Sequence, residues 1–160
     1  MFNLILDRLM GAEAPSGKPD SLQIAIAVLL VLAARMDDHF DQAERHTIER
    51  LLAKRFDLPA EAVQALMKAA ELRAENSSQM FPFTHLVVER LDPDERIQLI
   101  EMLWEVAYAD GVLDPDEDAL VRRIAGLVYV SDHDRGEARR RVRERQARNA
   151  VVPDRKQGGR

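Results

Sequence analysis

The sequence predicts an all-α fold, and three observations support this prediction. Ala, Leu, Glu and Arg dominate a chain that holds only seven Gly and seven Pro among its 160 residues, and such a composition favours helix over strand. Apolar residues recur at spacings of three and four along most of the chain, which places them on one face of a helix. No segment alternates apolar and polar residues for long enough to indicate a strand.

The N-terminal half of the chain is predicted to contain four helices. Residues 1–10 carry an apolar stripe at helical spacing, and the Gly, Pro and Ser of residues 11–19 indicate a linker. Asp20 or Ser21 can cap a helix that continues to about Met36. A third helix is expected over 42–56, and Pro59 can begin a fourth that ends near Asn76.

Four more helices are predicted in the second half. Residues 77–82 indicate a turn, and a short helix is expected over 84–91. Asp92 and Asp114 each precede a proline, which is the usual start of a helix. Ser131 or Asp132 can cap the last helix, which runs into an arginine-rich segment.

These elements suggest three parts of the chain. Residues 1–19 form a short helix and a linker, residues 20–148 form one helical domain, and residues 149–160, with Pro153 and Gly158-Gly159, form a disordered basic tail. The apolar run from Leu22 to Ala34 is shorter than the roughly 20 residues that cross a bilayer, so we interpret it as a buried core helix. With no cysteine and no signal peptide in view, we expect a cytoplasmic protein.

Charge is distributed unevenly along the chain. Residues 135–160 carry ten basic and three acidic side chains, a net charge of +7, whereas residues 1–134 carry a net charge of −12. Such a division favours self-association or an anionic partner for the basic end. Because no aromatic or base-reading motif accompanies the arginines, we interpret them as a solvated helix end and do not expect a nucleic-acid partner.

An acidic turn between two predicted helices occurs twice. When the chain is shifted by 73 positions, residues 34–44 align with residues 107–117, and Ala, Asp, Asp and Glu coincide. This correspondence indicates an internal duplication of a helix–turn–helix unit, packed about a pseudo-two-fold axis. The six matching carboxylates are Asp37, Asp41, Glu44, Asp110, Asp114 and Glu117.

Helix initiation accounts for four of these carboxylates. Asp41 and Asp114 stand at N-cap positions, and Glu44 and Glu117 stand three residues later, where they can complete a capping box. No ligand is needed to explain them.

Capping does not account for Asp37 and Asp110, which follow a helix C-terminus, where a negative charge is disfavoured. A cation between the acids and the free carbonyl groups would explain them, and oxygen ligands suit Ca²⁺ or Mg²⁺. Zn²⁺ is an alternative if His39 contributes. Gly111 is suited to the left-handed conformation at a helix exit, and Asp-Gly is also an ordinary turn pair, so a purely structural interpretation stays open there.

The segment Trp104–Glu117, followed by Leu120–Leu127, resembles the second repeat of the TerB-like, tellurite-resistance-associated helical proteins. The first repeat is similar over Leu32–Glu44 and Arg55-Phe56. The resemblance covers roughly residues 20–140 and implies a bundle of about seven helices that binds a divalent cation at its acidic turns. By position, it implies the ligands Asp37, Asp41, Glu44, Asp110, Asp114 and Glu117. Asp38 stands where the family favours Gly.

Two functions are compatible with these features. The first is a non-enzymatic module that binds a divalent cation and a protein partner, in a stress-response or membrane-associated complex. The second is a structural adaptor or homodimerisation domain whose acidic turns are only helix caps. Enzymatic hydrolysis is not expected, because the sequence offers no paired general base, nucleophile or Gly-rich loop. Trp104 lies on an apolar helix face, which indicates core packing.

Overall fold

The computed structural model describes residues 19–36, 40–76 and 79–151. These residues form seven helices and no strand, which confirms the all-α prediction. The helices are α1 (Ser21–Ala34), α2 (Gln42–Phe56), α3 (Ala60–Asn76), α4 (Phe81–Arg90), α5 (Pro93–Ala107), α6 (Pro115–Leu127) and α7 (Asp132–Val151). The predicted N-terminal helix and residues 152–160 of the predicted tail lie outside the described residues.

Helix α1 is the centre of the fold. Its residues from Ala25 to Val31, together with Ala33 and Ala34, are all buried. Because a helix that is apolar on every face must be surrounded by protein, α1 is enclosed, and it contacts α2, α3, α4, α5 and α6. None of the helices in the described ranges is long and apolar enough to cross a membrane.

The duplication extends further than the sequence indicated. Helices α1, α2 and α3 correspond in order to α5, α6 and α7, with starting residues 72 or 73 positions apart. In both units the third helix packs on the first, and α1 and α5 pack on each other. The repeat is therefore a three-helix unit, and α4 connects the two copies.

The second helices of the two units end in the same way. Asp57 and Tyr129 both adopt positive φ, at 51° and 60°. The next N–H group then donates to a carbonyl five residues earlier, from Leu58 to Ala53 at 3.0 Å and from Val130 to Ala125 at 2.9 Å. These are Schellman-type endings, and they turn the chain into the third helix of each unit.

Three predicted boundaries differ from the structure. Helix α4 begins at Phe81, and Pro82 lies in its first turn. Proline is tolerated there because backbone N–H groups of the first turn have no partner within the helix. The prediction of a turn through residue 82 was therefore wrong. Helix α1 ends at Ala34 rather than near Met36, and α7 continues to Val151, three residues into the segment assigned to the tail.

Arginines of α7 attach this helix to α5. Arg145 donates to Glu101 at 2.9 Å and to Glu105 at 2.8 Å, and Arg141 donates to Glu101 at 3.3 Å. Burial alone would lower the pKa of Arg145, but the hydrogen bonds and charges of the two glutamates outweigh it and raise the pKa. The interpretation of this segment as a solvated helix end was therefore incomplete, because part of it is an interhelical ion-pair network.

Trp104 is packed in the core, as predicted. It is 1% exposed, and its indole Nε1–H donates to the carbonyl of Arg135 at 3.2 Å. The guanidinium of Arg139 lies 5.4 Å from the centroid of the Trp104 ring and donates to the Tyr108 hydroxyl at 2.6 Å. The α5–α7 interface thus combines apolar burial, cation–π contact and hydrogen bonds.

Candidate metal site

The structure brings the two acidic turns together. Asp41 and Glu44, at the start of α2, and Asp110, after the end of α5, each offer a carboxylate oxygen, and these oxygens all lie within 4.8 Å of one another. Helix α5 packs against both α1 and α2, so its C-terminal turn reaches the start of α2. We call these three residues the acidic cluster.

Asp41 is the N-cap of α2, as predicted. It adopts an extended conformation, and its Oδ1 accepts a hydrogen bond from the backbone N–H of Glu44 at 2.8 Å. This bond satisfies one of the free N–H groups at the helix start. The Asp41 side chain is exposed and contributes its carboxylate to the cluster as well.

Glu44 is only 1% exposed, and its counterpart Glu117 is 2% exposed. Within the described ranges, complete capping boxes occur at α1 and α5, where Gln23 and Glu95 return a bond to the N-cap. At α2 the Asp41 side chain accepts from the N–H of Glu44, whereas at α6 the Asp114 side chain accepts from the N–H of Asp116, so the cap of α6 differs from the predicted box. Because the interior lowers the local dielectric, the repulsion of Glu44 by nearby carboxylates is stronger than at a surface.

Asp110 closes a turn, in agreement with the structural interpretation that the Asp-Gly pair left open, through a side-chain bond that the sequence did not predict. Its Oδ1 accepts a hydrogen bond from the N–H of Val112 at 3.0 Å, which closes an Asx-type turn. Gly111 has the expected positive φ of 85°, and its N–H donates to the carbonyl of Tyr108 at 2.9 Å. An asparagine could make the same bond to Val112, so the turn does not require the negative charge of Asp110.

The second turn contributes Asp110 alone to the acidic cluster. Asp114 caps α6 by accepting from the N–H of Asp116 at 2.7 Å, as predicted. Neither Asp114 nor Glu117 belongs to a cluster of three acidic or histidine ligands in the described part of the chain. Asp37, Asp38 and His39 lie outside the described residues, and so does the zinc alternative that depends on His39.

The chemistry of the acidic cluster suits a hard divalent cation. Its three side chains offer only carboxylate oxygens, which Ca²⁺ and Mg²⁺ prefer. His46, which lies two residues after Glu44, has a side chain that is 79% exposed and lies 3.9 Å from Glu49, outside the cluster. All three members of the cluster were among the six carboxylates that the sequence singled out. Their grouping across the two turns depends on the packing of α5 against α2 and carries no local sequence signal.

The chain matches the family model described as tellurite resistance protein TerB over residues 23–140. This range contains both acidic turns and extends from α1 into α7. Comparison with curated proteins and comparison with solved structures each give no significant match. The family match covers most of the chain and agrees with the all-α fold of the described residues. The chain therefore belongs to the tellurite resistance protein TerB family.

Proposed function

We propose that this protein is a non-enzymatic helical module that binds one divalent cation, Ca²⁺ or Mg²⁺, at Asp41, Glu44 and Asp110. The observation that supports this proposal is the convergence of three carboxylate oxygens within 4.8 Å from two turns that are far apart in the sequence. Three like charges at this separation repel one another, and a cation would replace that repulsion with attraction. The bound ion would connect the two repeats, and the family name supports a role in the response to tellurite.

Asp110→Asn is expected to weaken cation binding at least tenfold without disturbing the fold. The asparagine oxygen can still accept from the N–H of Val112, so the turn is preserved while one anionic ligand is lost. Loss of one charge-assisted contact of this kind is worth about 1.5–3 kcal/mol. Isothermal titration of Ca²⁺, Mg²⁺ and Zn²⁺ into both proteins measures the change, and thermal melting in EDTA verifies that the turn survives.

Asp116→Asn is the matched control for this experiment. Asp116 is exposed in the first turn of α6 and does not belong to the acidic cluster. Its substitution by asparagine removes the same charge as Asp110→Asn. The affinity of the Asp116→Asn variant for the cation should stay within about twofold of wild type, since a screened surface charge contributes little. If both substitutions weaken cation binding equally, the effect comes from the overall charge and not from a ligand at Asp110. The absence of any heat of binding with Ca²⁺, Mg²⁺ and Zn²⁺ would refute the proposal.

The second candidate function is a structural adaptor or homodimerisation domain that binds no cation. The observed roles of Asp41 and Asp114 as helix caps and of Asp110 in an Asx-type turn favour it. Light scattering coupled to size-exclusion chromatography measures the molecular mass in solution. A monomer mass at high protein concentration would exclude the dimer.

Alanine substitution of the two homologous caps separates the two functions. Asp114→Ala should lower the free energy of unfolding by about 1 kcal/mol, the usual value of an N-cap, and equally in Ca²⁺ and in EDTA. Asp41→Ala should lose a similar amount in EDTA but more in Ca²⁺, because Asp41 belongs to the cluster. Urea denaturation of both variants provides the values. If both losses are independent of Ca²⁺, the caps are only structural.

A further inference from the structure

A polar cleft lies between α2, α5 and α7, separate from the acidic cluster. Its volume is about 490 Å³, and its lining includes Arg50, Lys54, Glu105, Arg145, Gln146 and Asn149. Sites for small ligands generally measure roughly 300–1,000 Å³. The cleft is therefore large enough for a compact ligand.

Positive charge exceeds negative charge in this cleft. Three cationic side chains line it and only one carboxylate, that of Glu105. Glu105 accepts from Arg145 at 2.8 Å and from Arg50 at 3.1 Å, so it holds both guanidinium groups in fixed positions. Glu101, beside the cleft, also accepts from Arg145 at 2.9 Å, so one positive charge is left in excess, on a chain whose net charge is −5.

Lys54 and Arg50 retain hydrogen-bond donors that no group in the described part of the chain accepts. Lys54 is exposed one helical turn after Arg50, and among the described residues no acid lies within ion-pair distance of it. Arg50 directs only its Nη2 group to Glu105, although a guanidinium carries five N–H donors. Asn149 adds a side-chain amide to the lining. Several donors and a net positive charge in one cleft are suited to an anion with several oxygen atoms.

We propose that this cleft binds a compact phosphate-type anion, with Lys54 and Arg50 as its principal contacts. A pyrophosphate group offers several oxygen acceptors to these donors and is small enough to enter the cleft. Nucleic acid fits less well, because a chain with a net charge of −5 would repel an extended polyanion. This site is distinct from the proposed cation site, and either can exist without the other.

Titration of pyrophosphate and inorganic phosphate into the full chain, in EDTA and at low salt, tests the inference. EDTA ensures that the anion does not bind through a metal ion. Wild type should bind pyrophosphate, and Lys54→Gln should weaken binding about tenfold, the effect of one lost charge-assisted bond. Lys68→Gln is the matched control, since Lys68 is exposed on α3 and does not line the cleft. The affinity of the Lys68→Gln variant for pyrophosphate should stay within about twofold of wild type, because a screened surface charge contributes little.

Three outcomes would overturn the inference: no binding of either anion at millimolar concentration, equal weakening by both lysine substitutions, or binding that requires added Ca²⁺. Parallel titrations with ADP and with vesicles containing phosphatidic acid distinguish a soluble phosphate from a lipid headgroup as the source of the anion. Asp110→Asn separates this inference from the cation proposal. Asp110 follows Ala109, which lines the cleft, but its own side chain does not, so pyrophosphate affinity should change by less than about twofold, even if the cation proposal fails.

Discussion

Glu44→Gln is expected to remove the stabilisation that Ca²⁺ gives to the folded protein. The substitution removes one of three mutually repelling carboxylates, at a position that is 1% exposed, and it also removes a ligand. A cation at 100 times its dissociation constant stabilises the folded state by about 2.7 kcal/mol. For a chain of this size, that corresponds to a melting shift of about 5–10 °C. Thermal melting of wild type and variant in EDTA and in Ca²⁺ measures this shift.

Glu117→Gln is the control for this substitution. Glu117 occupies the equivalent position of the second repeat and is also buried, at 2% exposure, but it does not belong to the acidic cluster. This variant should keep the Ca²⁺-induced shift. If Glu44→Gln instead melts with the full wild-type shift in Ca²⁺, Glu44 is not a ligand and the proposed site is wrong.

Trp104→Ala is expected to lower the free energy of unfolding by about 3–5 kcal/mol, the usual loss for truncating a buried tryptophan. The side chain is 1% exposed, bonds to the Arg135 carbonyl and lies under the Arg139 guanidinium. Its removal leaves a cavity where α7 packs on α5. Urea denaturation followed by circular dichroism measures the loss, since Trp104 is the single tryptophan of the chain.

Two further variants show whether this loss comes from packing. Trp104→Phe keeps most of the apolar contact but lacks the indole N–H, so it should lose less than Trp104→Ala. Tyr129→Ala removes an aromatic ring that is 77% exposed, and its effect should be within about 0.5 kcal/mol of zero, as is usual at a surface. A loss below about 1 kcal/mol in Trp104→Ala would contradict the role of this residue in the core.

The fold was predictable where local signals agree with the tertiary structure. The apolar run of α1 and the Asp-Pro starts of α5 and α6 identified these helices directly. Both α3 and α7 were predicted, but their correspondence within the repeat was not, because Met67 in α3 corresponds to Arg139 in α7. One is buried in the core, whereas the other covers Trp104 with its guanidinium. The two side chains fill equivalent places with different chemistry, so sequence alignment does not match them.

The candidate site was predictable as a set of residues but not as an arrangement. Sequence identified Asp41, Glu44 and Asp110 because each turn repeats the same acids. Their meeting across the two turns depends on the packing of α5 against α2, which no local pattern encodes. The Asx-type bond of Asp110 was also missed, since a side chain that closes a turn resembles any other acid after a helix. Burial of Glu44 gave no signal, because N3 of a helix usually faces solvent.

A crystal structure of the protein grown with Mn²⁺, with diffraction recorded at the manganese absorption edge, tests the cation proposal most directly. Mn²⁺ shares the oxygen-ligand preference of Mg²⁺ and Ca²⁺. We expect an anomalous peak between the two turns, with carboxylate oxygens of Asp41, Glu44 and Asp110 at roughly 2.0–2.6 Å from it. A well-ordered map with no peak at these three residues, or with the ion bound elsewhere, would contradict the proposal.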